Sequence, residues 1–205
     1  MSRYLREPQQ LTGLKYFTSR MTHQPDRLAR QDTYLRALEV RGGVETIAGK
    51  FTSRLVRCRK CGKSFRLPQE KRTDVNLASH LVADAFDDRF DTFMLCTADS
   101  DLVPAVSLVQ ERFARRFILI DPPRRHSDEL AAMADIHLHA RETYYRQSQL
   151  PDPVEYTTRT GKVRTIARPR SWLTSEGAPS TSRPDDDGVT RCLSCLQPIV
   201  AVEDA

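Results

Sequence analysis

The segment TDVNLASHLVADAFDDRFDTFMLCTADSDLVPAV, residues 73–106, predicts a helix, a turn, a strand, an acidic loop and a second helix. Its apolar run TFMLCT at residues 92–97 is short and bounded by charge, which is typical of a strand buried on both faces of a parallel sheet. Pro104 suits the first turn of the second helix, because the first helical N–H groups have no partner within the helix. The segment therefore predicts an α/β fold.

Three aspartates of this segment form a candidate metal site. Asp99 and Asp101 follow the predicted strand, where ligands of open α/β sheets bind and where two carboxylates suit a hard cation such as Mg²⁺. Asp74 falls on the apolar face of the first helix, with Thr73 as the predicted N-cap. Each acid alone has a structural explanation, since Asp74 also suits a helix start and Asp101 a helix cap. Because the helix and the strand are adjacent, however, they can direct all three carboxylates to one point.

Two stretches of the chain carry a family resemblance. EKRTDVNLASHL (residues 70–81) and DTFMLCTADSDLVPAV (residues 91–106) resemble the NYN domain, a PIN-like nuclease family, and the resemblance extends over residues 14–153. It implies a Rossmann-like three-layer α/β/α fold with a mainly parallel sheet, in which clustered acids bind Mg²⁺ or Mn²⁺ for RNA cleavage. By position, that role falls on Asp74, Asp99 and Asp101.

The sequence departs from the family pattern in two places. The family's first strand, which carries an Asp and an Asn before the first helix, is absent, since Met1 stands where that helix should already be under way. Either the start of the chain is placed too late, or the domain has lost part of its site. The absent strand would lie beside the strands that contain Tyr16 and Thr92. In addition, Ala98 stands where the family usually has Gly.

The remaining sequence predicts a domain with appended segments. Predicted strands occupy residues 14–21, 44–51, 117–121 and 136–140, and a helix with Asp26 as its N-cap joins the first two into a βαβ unit. Ser127 is the predicted N-cap of a short helix between the last two strands. The predicted parts are an NYN-like domain at 1–153 with a basic Cys-containing insertion at 54–68, a basic extension at 154–173, a disordered linker at 174–190 and a terminal segment at 191–205.

Four further residues of the predicted domain have less specific interpretations. Asp121, at the end of a predicted buried strand, is a weaker candidate for the acidic pocket. His137 and His139 share one face of the predicted edge strand, and we interpret them as surface or packing residues. Cys96 is expected to be an inert residue packed in the core.

Charge is distributed unevenly along a chain whose net charge is +5. Residues 50–72 contain nine Lys or Arg and one acid, whereas residues 74–101 contain seven Asp and a single basic residue, Arg89. A basic arm beside an acidic pocket suits a metal-dependent nuclease, because the arm attracts phosphate. The alternative is a solvated basic hairpin. The candidate RNA-binding residues of the arm are Arg57, Arg59, Lys60 and Lys63.

Four of the five cysteines form two CxxC pairs, Cys58 with Cys61 and Cys192 with Cys195. Two such pairs supply the four thiolates of a tetrahedral Zn²⁺ site, so they can share one zinc ion. Alternatively, each pair is a reduced surface turn or meets a partner in another chain. A redox motif is disfavoured, because neither pair opens a helix after a buried strand.

The function that these features favour is a metal-dependent ribonuclease with Mg²⁺ or Mn²⁺ as cofactor and RNA as partner. One alternative is a catalytically degenerate NYN domain that binds RNA or a protein. Another is a phosphatase-like enzyme with Asp99 as nucleophile, although such loops usually follow the first strand of their domain. No apolar run is long enough to span a membrane and no signal peptide is evident, so the default expectation is a cytoplasmic protein without a membrane partner.

Overall fold

A computed structural model gives the structure of the chain and describes residues 2–22, 24–57 and 59–172. The strands of this part are β1 Lys15–Thr18, β2 Glu45–Ala48, β3 Lys50–Arg57, β4 Ser64–Lys71, β5 Thr92–Cys96, β6 Arg116–Asp121, β7 Ile136–His139, β8 Val154–Thr157 and β9 Val163–Ile166. The α-helices are α1 Pro25–Arg41, α2 Thr73–Phe86, α3 Val103–Phe113, α4 Asp128–Met133 and α5 Glu142–Gln147. Short 3₁₀ turns occur at Ser2–Tyr4, Ser100–Leu102 and Arg170–Trp172.

Parallel pairing dominates the strands that surround the candidate site. β1 pairs in parallel with β2, and α1 connects them, so the predicted βαβ unit is confirmed. β5, β6 and β7 form a second parallel sheet in that order, with helices between the strands. The β3–β4 and β8–β9 pairs are antiparallel hairpins. The predicted α/β fold with a mainly parallel sheet is therefore confirmed.

The core lies between β5 and β6 on one side and helices α2, α3 and α4 on the other. The rings of Phe93 and Phe117 stack in it with their centroids 5.0 Å apart. Complete burial of a side chain of this size contributes about 1.5–3 kcal/mol. The residues buried in this core are Leu81, Ala85, Phe93, Val106, Val109, Phe117, Leu119 and Leu130.

The starts of α1 and α4 test two predicted N-caps. The prediction for Asp26 is wrong, because α1 begins at Pro25, whose fixed φ suits the first helical position. The interpretation of the sequence before α4 is confirmed by Ser127, whose hydroxyl accepts a hydrogen bond from the N–H of Leu130 at 3.4 Å. The helix α1 therefore begins two residues earlier than predicted, whereas the serine cap of α4 is confirmed.

The start of α2 also differs from the prediction. Thr73 is the first helical residue rather than the N-cap, and Arg72 before it has a left-handed φ of 79°. The hydroxyl of Thr73 donates to the carboxylate of Glu70 and lies 3.1 Å from the hydroxyl of Ser19. The predicted cap is wrong because these two residues, one of them far away in sequence, engage the hydroxyl that capping would need.

The basic segment forms a long hairpin. β3 and β4 pair antiparallel over their whole length, from Lys50 opposite Lys71 to Arg57 opposite Ser64. The residues predicted as an insertion, 54–68, are the outer part of this hairpin. Its two strands lead directly from β2 to α2, so the hairpin projects from the same edge of the molecule at which α2 begins.

β1 and β5 each have one edge without a strand partner among the described residues. These are the two strands beside which the resemblance places the family's first strand. Cys96, the last residue of β5, is exposed. The expectation that Cys96 packs in the core is wrong, because a strand with a neighbour on one edge only leaves its end accessible.

The residues after 153 begin with a second hairpin, β8–β9, which packs on α1. Val154 is buried, and the guanidinium of Arg36 donates to the hydroxyl of Tyr156 at 2.7 Å. The predicted linker and terminal segment, with Cys192 and Cys195, lie outside the described residues, as does Cys58. The helices that the structure describes are all too short or too polar to cross a bilayer.

Candidate metal centre at the carboxyl ends of the strands

The three predicted acids lie on two neighbouring elements. Asp74 is in the first turn of α2, and Asp99 and Asp101 follow β5. Asp74 is exposed rather than on the buried face, so that part of the prediction is wrong. The reason is that burial along α2 begins further on, at Leu81, whereas the first turn is uncovered and Val75 is 67% exposed.

The negative charges of these acids influence one another. Partial loss of solvent raises the pKa of the Asp74 carboxyl, and the negative charges of Asp99, Glu70 and Asp101 raise this pKa further. Charges that shift a pKa in this way lie close enough to repel one another. The charges of Asp99, Asp101 and Glu70 therefore act on the Asp74 carboxyl, but among the described residues these four carboxylates do not form a compact group of ligand atoms like the one at Asp121. We call these four residues the acidic pocket.

Asp99 is the best-oriented member of the acidic pocket. Its carboxylate accepts the backbone N–H of Asp101 at 3.1 Å, which caps the 3₁₀ turn that follows. Its own N–H donates to the hydroxyl of Thr97 at 3.2 Å. One local hydrogen bond thus holds the Asp99 side chain and a second holds its backbone, and the capping residue is Asp99 rather than Asp101.

Among the described residues, the aspartates of the pocket form no ion pairs with cationic side chains. Within the described residues, no ion pair joins a Lys, Arg or His side chain to Asp74, Asp99 or Asp101. Acids at and beyond the other end of α2 do have such partners, since Asp84 pairs with Lys15 and Asp88 with Arg115. Clustered carboxylates without a cation are the arrangement that a divalent ion neutralises.

A polar network that the sequence does not predict lies beside the acidic pocket and includes one of its members, Glu70. The carboxylate of Glu70 accepts hydrogen bonds from the hydroxyls of Ser19, at 2.7 Å, and Thr73. Burial alone would raise the pKa of Glu70, but these hydrogen bonds outweigh it and hold the pKa below its usual value. We call Ser19, Glu70 and Thr73 the edge network. It ties the ends of β1 and β4 to the residue that precedes Asp74.

Gly49 makes the edge network possible. A Cβ at this position would lie 2.2 Å from the Ser19 hydroxyl, 2.4 Å from the Thr73 hydroxyl and 2.9 Å from the Glu70 carboxylate. Only a residue without a side chain allows the backbone between β2 and β3 to approach these groups so closely. The requirement for Gly here is therefore one of space.

The candidate RNA-binding residues lie at the tip of the β3–β4 hairpin. Arg57 is exposed, and its Nε donates to the carbonyl of Gly62 at 3.1 Å, which closes the tip. Arg59, Lys60 and Lys63 are exposed as well. Their contact with RNA remains a prediction. So does the shared zinc site, because Cys61 is exposed at this tip while its three proposed partners lie outside the described residues.

A second cluster of metal-binding residue types lies at the end of β6. One carboxylate oxygen of Asp121, Oδ2, is 2.7 Å from Nδ1 of His126, 2.7 Å from Nε2 of His137 and 3.3 Å from Nδ1 of His139. The prediction that His137 and His139 are surface or packing residues does not connect them with Asp121. Their alternation in β7 indicated a shared face, but the pairing of β7 with β6 was needed to show what that face meets.

The pKa values in this second cluster follow from its contacts. Burial raises the pKa of Asp121, but hydrogen bonds from His126 and His137 outweigh burial and lower the pKa overall. The hydrogen bond to Asp121 raises the pKa of His126, and Asp128 contributes in the same direction.

Comparisons with known proteins address the family. The NYN domain family model matches residues 30–141, which is more than half of the chain. A solved structure of a protein of unknown function from Vibrio parahaemolyticus is 21% identical, with a TM-score of 0.43, over 63% of this chain and 69% of that one. No curated protein matches the sequence.

Proposed function

Because the chain belongs to the NYN domain family, we propose that it is a metal-dependent ribonuclease whose acidic pocket binds Mg²⁺ or Mn²⁺. One observation carries the proposal. Asp74, Asp99 and Asp101 come from two elements, and no cationic side chain among the described residues is paired with them. Partial burial and the charges of Asp99, Glu70 and Asp101 raise the pKa of Asp74. Oxygen ligands of this kind suit hard divalent ions.

The residues of the pocket have distinct roles in this proposal. Asp99 is held by the N–H of Asp101, so its carboxylate is oriented before an ion binds. Asp74 sits at the start of α2, where the helix dipole favours negative charge and where the edge network fixes the backbone. Asp74, Asp99 and Asp101 would hold the divalent ion, and the chemistry that it would supply is activation of water and stabilisation of the charge that develops on the phosphate.

The basic hairpin supplies the proposed RNA contact. Arg57, Arg59, Lys60 and Lys63 are exposed at its tip, and exposed cations attract a phosphodiester backbone without reading its sequence. The hairpin ends at Lys71, three residues before Asp74. A strand of RNA held along the hairpin is therefore led towards the pocket at its base.

The experiment compares divalent-ion binding and cleavage in matched variants. Asp99→Asn keeps the cap, because Asn and Asp cap about equally well, but removes one charge from the pocket. We expect Mn²⁺ binding by calorimetry to be lost and Mg²⁺-dependent cleavage of single-stranded RNA to fall about 100-fold or more, since metal contributions of several kcal/mol correspond to such factors. Asp91→Asn, which changes a fully exposed acid outside the pocket, is the control and should behave as wild type.

The outcomes separate the alternative functions. RNA binding without cleavage in the wild type, together with equal Mn²⁺ binding by Asp99→Asn, would overturn the nuclease and favour a degenerate NYN domain that acts as a binding module. A trapped aspartyl-phosphate on Asp99 would instead support phosphatase-like chemistry.

A further inference from the structure

The cluster formed by Asp121, His126, His137 and His139, which we call the nitrogen cluster, lies outside the acidic pocket. Nitrogen atoms of its three imidazoles surround one oxygen atom, Oδ2, of its single carboxylate, Asp121. We propose that Asp121, His137 and His139 bind a borderline transition-metal ion, with Zn²⁺ as the best match. This site is separate from the proposed Mg²⁺ or Mn²⁺ site and does not depend on the ribonuclease assignment.

The burial of Asp121 is the first observation that points to an ion. Its side chain is 3% exposed, yet its second carboxylate oxygen, Oδ1, has no hydrogen-bond partner among the described residues. Buried carboxylates are normally paired through both oxygens, and an unpaired buried oxygen calls for an explanation. Three imidazole nitrogens crowd around Oδ2 while Oδ1 remains unpaired. An ion at this place would take the carboxylate as a ligand and relieve that imbalance.

The spacing of the donor atoms is the second observation. One ligand atom each from Asp121, His137 and His139 lies within 4.8 Å of the others. Ligands of a tetrahedral Zn²⁺ are roughly 3.3 Å apart, given bonds of about 2.0–2.2 Å. Shifts of the order of 1 Å therefore bring the three atoms to one ion. His139 is 75% exposed and can make such a shift without disturbing the core.

The fold explains why these residues converge. Asp121 is the last residue of β6, and His139 is its register partner in β7. His137 is two residues earlier in the same strand, so it points to the same face, beside Leu119. Parallel pairing thus places three candidate ligands, one aspartate and two histidines, on one face at the carboxyl ends of two strands. A pocket of about 340 Å³, lined in part by Asp121, His126 and His139, leaves the site accessible.

The donor set favours a transition metal over Mg²⁺. Imidazole nitrogen suits Zn²⁺ and its neighbours in the first transition row, whereas Mg²⁺ prefers carboxylate and water oxygens. Three protein ligands leave the fourth position of a tetrahedral ion to water or substrate.

His126 fits the role of an outer support rather than a ligand. Its Nδ1 is bonded to Asp121, and its Nε2 lies 3.0 Å from the carboxylate of Asp128. Both ring nitrogens are therefore engaged by carboxylates. A histidine in that position orients Asp121, in the way that outer-shell groups orient metal ligands.

The test measures zinc in the full chain after removal of metal by a chelator. Because the CxxC cysteines are also predicted to bind zinc, the titration uses in addition a background with Cys58→Ser, Cys61→Ser, Cys192→Ser and Cys195→Ser. In that background we expect one tight Zn²⁺ per chain, measured in competition with a chromophoric chelator. Co²⁺ should give the visible spectrum of a tetrahedral site without thiolate charge-transfer bands.

Substitutions then locate the ion. His139→Gln and His137→Gln should each weaken zinc binding by more than the roughly 10- to 100-fold that loss of an outer-shell partner costs. His126→Gln should fall within that range. The matched control is His80→Gln, because His80 lies on α2 beside Lys15 and outside the nitrogen cluster, so zinc binding should not change. The exposure of His139 keeps the test independent of folding, and equal melting temperatures of the metal-free proteins verify this.

Three results would overturn the proposal. They are the absence of tight zinc binding in the cysteine-free background, unchanged zinc affinity in His139→Gln, and loss of the zinc on Asp99→Asn, which would place the ion in the acidic pocket. In turn, His139→Gln should leave Mn²⁺ binding at the acidic pocket unchanged. The failure of this site and the failure of the ribonuclease assignment can therefore be told apart.

Discussion

Replacement of Gly49 by alanine tests how the edge network supports the acidic pocket. The new Cβ would lie 2.2 Å from the hydroxyl of Ser19 and 2.4 Å from that of Thr73, whereas ordinary contacts begin at 3.4 Å. One or both hydroxyls must therefore move by about 1 Å, a change in shape of the kind that overpacking imposes on buried sites. Because both hydroxyls donate to Glu70, the shift breaks or weakens hydrogen bonds to a charged acceptor.

The expected magnitude follows from these two effects. Overpacking costs about 1–3 kcal/mol, and loss of a hydrogen bond to a charged group costs about 1.5–3 kcal/mol. The two costs do not add in full, because a hydroxyl that moves away from the new Cβ removes the steric clash while it loses its hydrogen bond. We therefore expect Gly49→Ala to lower the free energy of unfolding by roughly 2–4 kcal/mol. For a domain of this size that corresponds to a decrease in melting temperature of about 5–15 °C.

The assay is urea denaturation with Gly13→Ala as the matched control. A Cβ at Gly13 meets nothing within 4 Å, and its φ lies outside the left-handed region, so this change should be neutral or stabilise by up to about 1 kcal/mol. In addition, Ser19→Ala should cost less in the Gly49→Ala background than in the wild type, because the clash has already displaced the hydroxyl. If Gly49→Ala unfolds within about 0.5 kcal/mol of Gly13→Ala, the edge network is not under the steric constraint argued above.

Three further predictions concern pH, RNA and zinc. The folded-state pKa of Glu70 lies below its unfolded value, so its stabilisation is present above the unfolded pKa and is lost as pH falls through the folded pKa; Glu70→Gln should flatten the acid limb of a plot of unfolding free energy against pH, and an unchanged limb would contradict this. Lys60→Ala should reduce the salt dependence of single-stranded RNA binding by about 0.7 in the log–log slope, measured by fluorescence anisotropy; an equal effect of Lys162→Ala, an exposed lysine outside the basic hairpin, would remove the hairpin from the interface. Cys192→Ser should release the zinc equivalent held by thiolates, measured by elemental analysis, if the two CxxC pairs share an ion; full retention would exclude the shared site.

The part of the site that the sequence predicted is the part encoded locally. Asp99 and Asp101 follow an apolar strand, and Asp74 opens a helix with clear periodicity. These relations span a few residues, so periodicity and the rule that ligands bind beyond strand ends are enough to find them. The exposure of Asp74 was not predictable in this way, because it depends on where the core stops covering α2.

The parts that the sequence did not predict depend on contacts between distant residues. Ser19 and Glu70 are 51 residues apart, and nothing in either local pattern indicates their hydrogen bond. The alternation of His137 and His139 predicts that they share one face of a strand, but only the β6–β7 register places Asp121 beside them on that face. A shift of that register by one residue would turn both histidines away from the carboxylate.

The two clusters lie at the carboxyl ends of neighbouring parallel strands, yet their donor atoms differ. The acidic pocket after β5 offers carboxylate oxygens, and the nitrogen cluster after β6 adds two or three imidazoles to one buried carboxylate. Under the two proposals, ligand chemistry should therefore sort ions between the two places, with Mg²⁺ or Mn²⁺ expected at the first and Zn²⁺ at the second. Because Zn²⁺ also binds carboxylates well, this sorting requires the nitrogen cluster to bind Zn²⁺ more tightly than the acidic pocket does. A zinc titration measures this sorting. Zn²⁺ should bind first at the nitrogen cluster, which contains His139, and only in excess at the acidic pocket, which contains Asp99.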